Sequence, residues 1–205
     1  IAFAANLVTL FIFYEILTLS TYPLVAHEES SEAISAGHKY LAYLLGGGVF
    51  FLLAILATYH LTGTTDFSPQ GILSGALDDT SKIYLQVIFF FFLIGFAKAA
   101  WMPLHSWLPS AMVAPTPVSA LLHAVAVVKA GVFGIIRIVT HIYGIELMQV
   151  LGLGLALATI AAVTIIIANF YAIGQKNLKR MLAYSTINQL SFIIIGVALL
   201  SPMSV

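Results

Sequence analysis

Apolar residues fill this chain in runs of about twenty, close to the length a helix needs to cross the hydrocarbon core of a bilayer. Six such runs stand out, at residues 2–26, 40–61, 83–102, 118–139, 147–173 and 181–200, with mostly short polar stretches between them. The pattern predicts an all-α, polytopic membrane protein of about six transmembrane helices in a single domain. Within the second run, Gly46, Gly47 and Gly48 would let a neighbouring helix approach closely. The longest polar connection, 62–81, carries Asp66, Asp78 and Asp79.

Between the third and fourth runs the pattern breaks. Pro103, Pro109, Pro115 and Pro117 cannot all lie inside one regular helix, because each proline removes a backbone donor and crowds the preceding turn. A broken helix near Pro103 follows. Short loops rich in Lys and Arg stay in the cytoplasm. The 174–180 loop holds Lys176, Lys179 and Arg180, and counting spans back from it puts residues 27–39 and the proline-rich stretch on the same side. The loop with Asp66, Asp78 and Asp79 and the short one near Glu146 then face outward. The expected location is multi-pass in the cell inner (plasma) membrane.

Composition narrows the function classes. Hydrophobic residues make up 61% and charged residues 8% of the chain, against about 25% charged in soluble domains. Eight basic and eight acidic side chains cancel, which offers nucleic acid no basic surface. Without cysteine there is no disulfide, no thiolate-ligated cluster and no cysteine nucleophile. Phosphate loops, metal-ligand spacings and catalytic triads are also lacking, so neither cofactor nor metal is expected. The sequence opens at Ile1 inside an apolar run, without a leader, and reads as a fragment.

Charge inside the apolar runs is the informative chemistry, since an ionised side chain at a helix centre costs roughly 2.5 to 3.5 kcal/mol and calls for a partner or water. Glu15 lies halfway along the first run and Lys129 halfway along the fourth, while Lys98 lies toward the end of the third, five residues before Pro103. Snorkelling to the interface is one reading of Lys98, and a salt bridge that only fixes helix packing is one reading of Glu15 and Lys129. The other is a relay. Desolvation weakens a lysine's hold on its proton and a nearby carboxylate strengthens it, so a carboxylate that moves makes Glu15 a candidate modulator and Lys98 a candidate switch. His123 precedes Lys129 by six residues, about 9 Å along a regular helix and about 120° around it. It fits proton transfer or hydrogen-bonded packing equally, with Ser119 as candidate partner. His27, Glu28, Glu29, Glu32, His38 and Lys39 read as a solvated connection in which Lys39 could look into a vestibule. Arg137 and His141 read as anchors, and Tyr14, Tyr22, Trp101 and Trp107 as interfacial or packing residues.

The stretch WMPLHSWLPSAMVAPTPVSALLHAVAVVKAGVFGIIR, residues 101–137, resembles the signature region of the antiporter-like subunits shared by respiratory complex I and multisubunit Mrp-type cation/proton antiporters. FIFYEILTLSTYPLVAH and NLKRMLAYSTINQLSFIIIGVAL resemble flanking parts of the same family, and LLHAVAVVKAG is closest in wording to antiporter subunits of the A or D kind. The resemblance implies a bundle of about fourteen helices with two inverted repeats, of which this chain would supply the fifth to tenth. Residues 1–140 would be most of the first repeat and 146–205 the start of the second. It further implies that Glu15 is the family's glutamate of the fifth helix, Lys98 the lysine of the broken seventh, and Lys129 and His123 the lysine and histidine of the eighth. Glu15 and Lys98 would form an ion pair whose opening releases the lysine's proton. The partners implied are other membrane subunits, the lipid bilayer, protons and, by exchange, sodium. The expected function is thus a proton-translocating subunit of an NADH:quinone oxidoreductase-type or antiporter complex. A non-conducting structural membrane subunit of a respiratory or hydrogenase complex is the alternative, and it predicts buried charges closed into dry, fully paired bridges. A direct redox enzyme would need a cofactor motif that the sequence lacks.

Overall fold

A computed structural model of the chain describes residues 1–77 and 81–201, and Asp78 and Asp79 lie outside them. Helix α1 (Leu7–Val25) starts where the Asn6 side chain accepts the Thr9 backbone N–H at 2.8 Å, which satisfies one of the orphan donors of the first turn. Helix α2 (Ser31–Thr62) starts nine residues before the apolar run. Ser30 caps it by accepting the Ala33 N–H at 3.1 Å, and Glu32 sits in the favourable field of its first turn. Glu32, His38 and Lys39 therefore stand on a helix that projects past the apolar run, and only His27, Glu28 and Glu29 of that group lie in the connection.

Helix α3 (Lys82–Gly95) is the third span, and it stops seven residues earlier than hydropathy suggests. A single 3₁₀ turn, Ala97–Ala99, follows, and Ala100 takes a left-handed conformation with φ of 56°. The break thus opens before Pro103; the prolines act downstream by keeping the chain irregular up to the short α4 (Trp107–Ala111). The fourth span is a composite. Helix α5 (Thr116–Ala120) runs through a π-helical turn at Leu121–Val125 into α6 (Val127–Arg137), and a second π-helical turn, Ile138–Tyr143, ends it. The fifth apolar run divides at Gly152, whose φ is 67°, into α7 (Ile145–Val150) and α8 (Leu153–Ile173), and α9 (Leu178–Ala198) packs along α8.

Five of these segments are long and apolar enough to cross a membrane, and α3 makes a sixth, shorter span. The protein is all-α and polytopic. Contacts between connections define two ends of the bundle. At one, Arg180 Nη2 lies 3.3 Å from Glu32 Oε1, Lys39 Nζ donates to Ser110 Oγ at 3.1 Å and Lys179 Nζ donates to the Ala114 carbonyl at 3.0 Å. This basic end therefore gathers the α1–α2 connection, the region after the break and the α8–α9 connection. At the other, Phe67 N–H bonds the Ala5 carbonyl at 3.1 Å and Leu73 N–H the Ile142 carbonyl at 2.9 Å. Side chains such as Phe13, Ile16, Leu53 and Leu56 are exposed on the flanks of α1 and α2, as lipid contact requires.

The core is built on tilted and edge-to-face aromatic packing. Phe51 of α2 meets Phe96 at 4.7 Å between ring centroids, and Tyr14 of α1 meets Phe96 and Phe51 at 5.5 and 5.7 Å. Helix α6 reaches this core only because Gly131 has no side chain: a β-carbon there would collide with the Ala99 backbone nitrogen and lie 2.7 Å from the Lys98 carbonyl carbon. Gly131→Ala should accordingly destabilise the full-length protein by about 1 to 3 kcal/mol in thermal denaturation. Gly174→Ala, where a β-carbon finds its nearest neighbour at 3.8 Å, should change it by less than about 0.5 kcal/mol. Equal effects would contradict the close approach of α6 to the turn.

Candidate functional site

The fourteen residues of α3 rise about 21 Å, short of the roughly 30 Å hydrocarbon core, so the chain unwinds at membrane depth. Unwound backbone there must find partners within the protein. Three ring donors supply them. Trp101 Nε1 donates to the Leu93 carbonyl at 3.1 Å, Tyr14 hydroxyl to the Gly95 carbonyl at 3.3 Å and Trp107 Nε1 to the Ala97 carbonyl at 3.0 Å. On the far side, the Met102 N–H donates to Thr164 Oγ1 of α8 at 3.0 Å. Tyr14, Trp101 and Trp107 are all buried, so their polar ends serve the broken backbone rather than an aqueous interface.

The turn so held carries Lys98. Its side chain is fully buried, its Nζ lies 3.7 Å from Glu15 Oε1 and 3.1 Å from the centroid of the Tyr14 ring. Snorkelling does not describe it, because the chain bends away from the helix end into the core. The 3.7 Å separation is an ion-pair contact but too long for a hydrogen bond. Among the described residues, neither carboxylate oxygen of Glu15 nor Lys98 Nζ has a hydrogen-bond partner. Charge attraction and the electron-rich face of the tyrosine hold the ammonium in place.

Helix α2 makes the space for the carboxylate. A β-carbon at Gly48 would stand 2.8 Å from Glu15 Oε1 and 3.0 Å from its Cδ, whereas one at Gly47 would press the Ile94 carbonyl oxygen at 3.0 Å. Of the glycine triplet, Gly47 thus serves helix packing and Gly48 serves the acid, while Gly46 meets nothing within 4 Å.

The remaining candidates are arranged differently. Lys129 is exposed on α6 and not buried. Its position two residues before Gly131 explains this, since about 200° of helical rotation turns it away from the face packed on the Lys98 turn. His123 is half-buried on the π-helical turn, where Ala126 N–H bonds the Leu121 carbonyl at 3.0 Å, so spacing taken from a regular helix does not carry from His123 to Lys129. Its Nδ1 lies 3.2 Å from Thr186 Oγ1 of α9, while Ser119 donates to the Ala114 carbonyl at 2.9 Å and is not its partner. Pro103 is exposed in the break, and Lys39 is half-buried beside Ser110 at the basic end.

His105 went unmarked in the sequence. It packs against Tyr171 and Tyr184 at 6.2 Å from each, and those two rings stack on each other at 5.4 Å. Burial holds its imidazole below the usual value; the Pro103 backbone opposes the shift and Lys39 adds to it. Only the HSW triplet between two prolines could have drawn attention to it, since its partners lie on distant helices.

Known proteins share this fold. Residues 4–205 match the family model described as NADH:quinone oxidoreductase/Mrp antiporter, TM. The chain is 34% identical over 200 residues to NAD(P)H-quinone oxidoreductase subunit 5, chloroplastic, of Lemna minor, a match covering 96% of this chain and 26% of that protein. Among solved structures it is similar to the Mrp complex from a Dietzia species, with TM-score 0.83 and 31% identity over 98% of this chain and 22% of that one. A chain of the membrane-bound sulfane sulfur reductase, an archaeal respiratory membrane complex, gives TM-score 0.82 and 32% identity, covering 95% of this chain and 39% of that one. The chain spans 26% and 31% of the length of two curated relatives it matches. With the family model matched along nearly all of its length, the chain belongs to the NADH:quinone oxidoreductase/Mrp antiporter transmembrane family.

Proposed function

We propose that this chain is part of a proton-translocating membrane subunit of a multisubunit complex, and that Glu15 and Lys98 form its protonatable element. The observation that carries the reading is the buried, under-bonded pair on an unwound turn. A bridge that serves only packing is expected to close into hydrogen-bond contact, because a buried ion pair otherwise recovers little of its desolvation cost. Here the ammonium and carboxylate stop 3.7 Å apart and leave their hydrogen-bonding capacity unused by protein groups. A Glu15 carboxyl that takes up a proton of its own is neutral and can move within an apolar core, and its departure removes the charge that holds the proton on Lys98.

The relay then works by differential attraction. With Glu15 near, Lys98 holds its proton; with Glu15 displaced, desolvation dominates and the proton leaves. His123, between the fourth span and α9, and Lys129, on the outer face of α6, are the proposed next carriers. Lys129 faces the side of α6 that the described residues leave uncovered, where further helices of a longer bundle would meet it. The subunits to which this chain is similar carry respiratory and antiporter names and belong to complexes, which supports neighbouring membrane subunits as partners; a plasma-membrane location and exchange of protons for sodium are part of the proposal.

Lys98→Met and Glu15→Gln in the full-length protein should each bring proton translocation in membrane vesicles to background while the subunit still assembles. Translocation at the natural rate in either variant would sink the assignment. Gly48→Ala should slow translocation by about tenfold, the equivalent of roughly 1.4 kcal/mol, by crowding the carboxylate. Adding Glu15→Asp, which withdraws the carboxylate by one methylene, should restore part of that rate. An unaffected Gly48→Ala protein would show that Glu15 needs no such space.

A further inference from the structure

Both carboxylate oxygens of Glu15 are buried, so a proton that neutralises them needs a way in. Three buried hydroxyls lie between Glu15 and the basic end of the bundle. Thr18 and Thr21 follow Glu15 along α1 at steps of three residues, and successive members of such a row are neighbours on a helix, with β-carbons about 5 to 6 Å apart. The Thr18 side chain bears on the Glu15 carboxylate without closing a hydrogen bond to it. Thr21 Oγ1 lies 2.6 Å from the hydroxyl of the buried Tyr40 on α2, a contact in which either oxygen can donate.

Packing alone does not call for these hydroxyls. A threonine inside a helix satisfies its hydroxyl on a carbonyl of the preceding turn, and Thr18 and Thr21 do so on the Tyr14 and Leu17 carbonyls at 3.4 and 2.7 Å. Valine has nearly the same shape and would fill either place. The Tyr40 ring packs edge-on against Trp107 at 5.4 Å between centroids, as a phenylalanine would. What the polar atoms add is the bond between Thr21 and Tyr40. The row also opens in a definite direction. At the basic end a cleft of about 310 Å³ has Ala36, Lys39 and Ser110 in its walls, and Ala36 precedes Tyr40 by one turn on the same face of α2. Long side chains on a helix lean toward its N-terminus, so the Tyr40 phenol lies on the cleft side of its own backbone.

We propose that protons pass from this cleft to the Glu15 carboxylate along Tyr40, Thr21 and Thr18. Each hydroxyl accepts a proton on its oxygen as it gives its own to the next group, and rotation about the C–O bond resets it. One proton leaves the water of the cleft and one carboxylate becomes a neutral carboxyl. A single water spans the step from Thr21 to Thr18, beside the Thr18 carbonyl that already lies 3.2 Å from Thr21 Oγ1. The inference rests on the reading of Glu15 as a protonatable group and adds the route by which its proton arrives.

The test uses the full-length protein in oriented vesicles, with the carbonyl band of protonated Glu15 followed by time-resolved infrared spectroscopy after acidification of one side or the other. Acid at the basic end should protonate Glu15 about tenfold more slowly in Thr21→Val and in Tyr40→Phe than in the natural protein. Thr21→Ser, which keeps the hydroxyl, should recover most of the rate, and acid from the opposite side should act on all of these proteins alike. A natural rate from the basic end in either hydroxyl-free variant, equal slowing from both sides, or a Thr21→Ser protein as slow as Thr21→Val would each overturn the route while leaving the role of Glu15 intact. Natural translocation in Glu15→Gln would instead overturn that role, and the route with it. Should Thr21→Val not assemble, Tyr40→Phe, which keeps the ring against Trp107, decides the matter.

Discussion

A polypeptide inside a bilayer has no water to turn to when its helix stops, and the organisation of this protein follows from that constraint. Helix α3 ends at Gly95, part-way through the membrane, and the carbonyls of Leu93, Gly95 and Ala97 take their hydrogen bonds from Trp101, Tyr14 and Trp107. Each bond contributes a net stabilisation on the order of 1 kcal/mol, but leaving the carbonyl bare would cost about 1 to 3 kcal/mol. The aromatic residues around the break are therefore its scaffold. Without them the turn at Ala97–Ala99 would rewind or dissolve, and Lys98 would lose the direction that carries it toward α1.

Placement of the ion pair is a consequence of that scaffold. Tyr14 serves it twice, since its hydroxyl bonds the Gly95 carbonyl while its ring faces Lys98 Nζ at 3.1 Å. Gly131 lets α6 press on the turn from one side, and Gly48 leaves the volume that Glu15 occupies on the other. The pair is enclosed yet not locked by hydrogen bonds, which is the combination a protonation switch needs: isolation from bulk water with freedom to change distance.

The sequence made the architecture legible because hydrophobic run length is a strong signal in a lipid solvent: each of the six apolar runs corresponds to a helical segment, five of them long enough to cross a membrane. Its errors were local and physical. Hydropathy carried the third span through to residue 102 because Phe96, Ala97, Ala99 and Ala100 are apolar, though the backbone there makes one 3₁₀ turn and leaves the α-helical path. It started α2 too late because Lys39 and Glu32 look like loop residues, while the Ser30 cap, a local hydrogen-bonding signal, was the better guide. For the site, a lone acid and a lone amine in apolar runs pointed to Glu15 and Lys98, but which helix faces they occupy depends on the break. Only the burial expected of Lys129 was misjudged, and for the complementary reason, since its exposure follows from the packing of Gly131 and from the π-helical turn that no spacing rule reveals.

In the proposed relay, the Glu15 carboxyl group changes its protonation as the pair opens and closes. Infrared difference spectroscopy of the full-length protein in vesicles, recorded with and without a proton gradient, reads this directly. The account predicts a carbonyl band of a protonated carboxylic acid that rises with the gradient, shifts in heavy water and vanishes in Glu15→Gln. A Glu15 carboxylate that remains ionised under every gradient would contradict it.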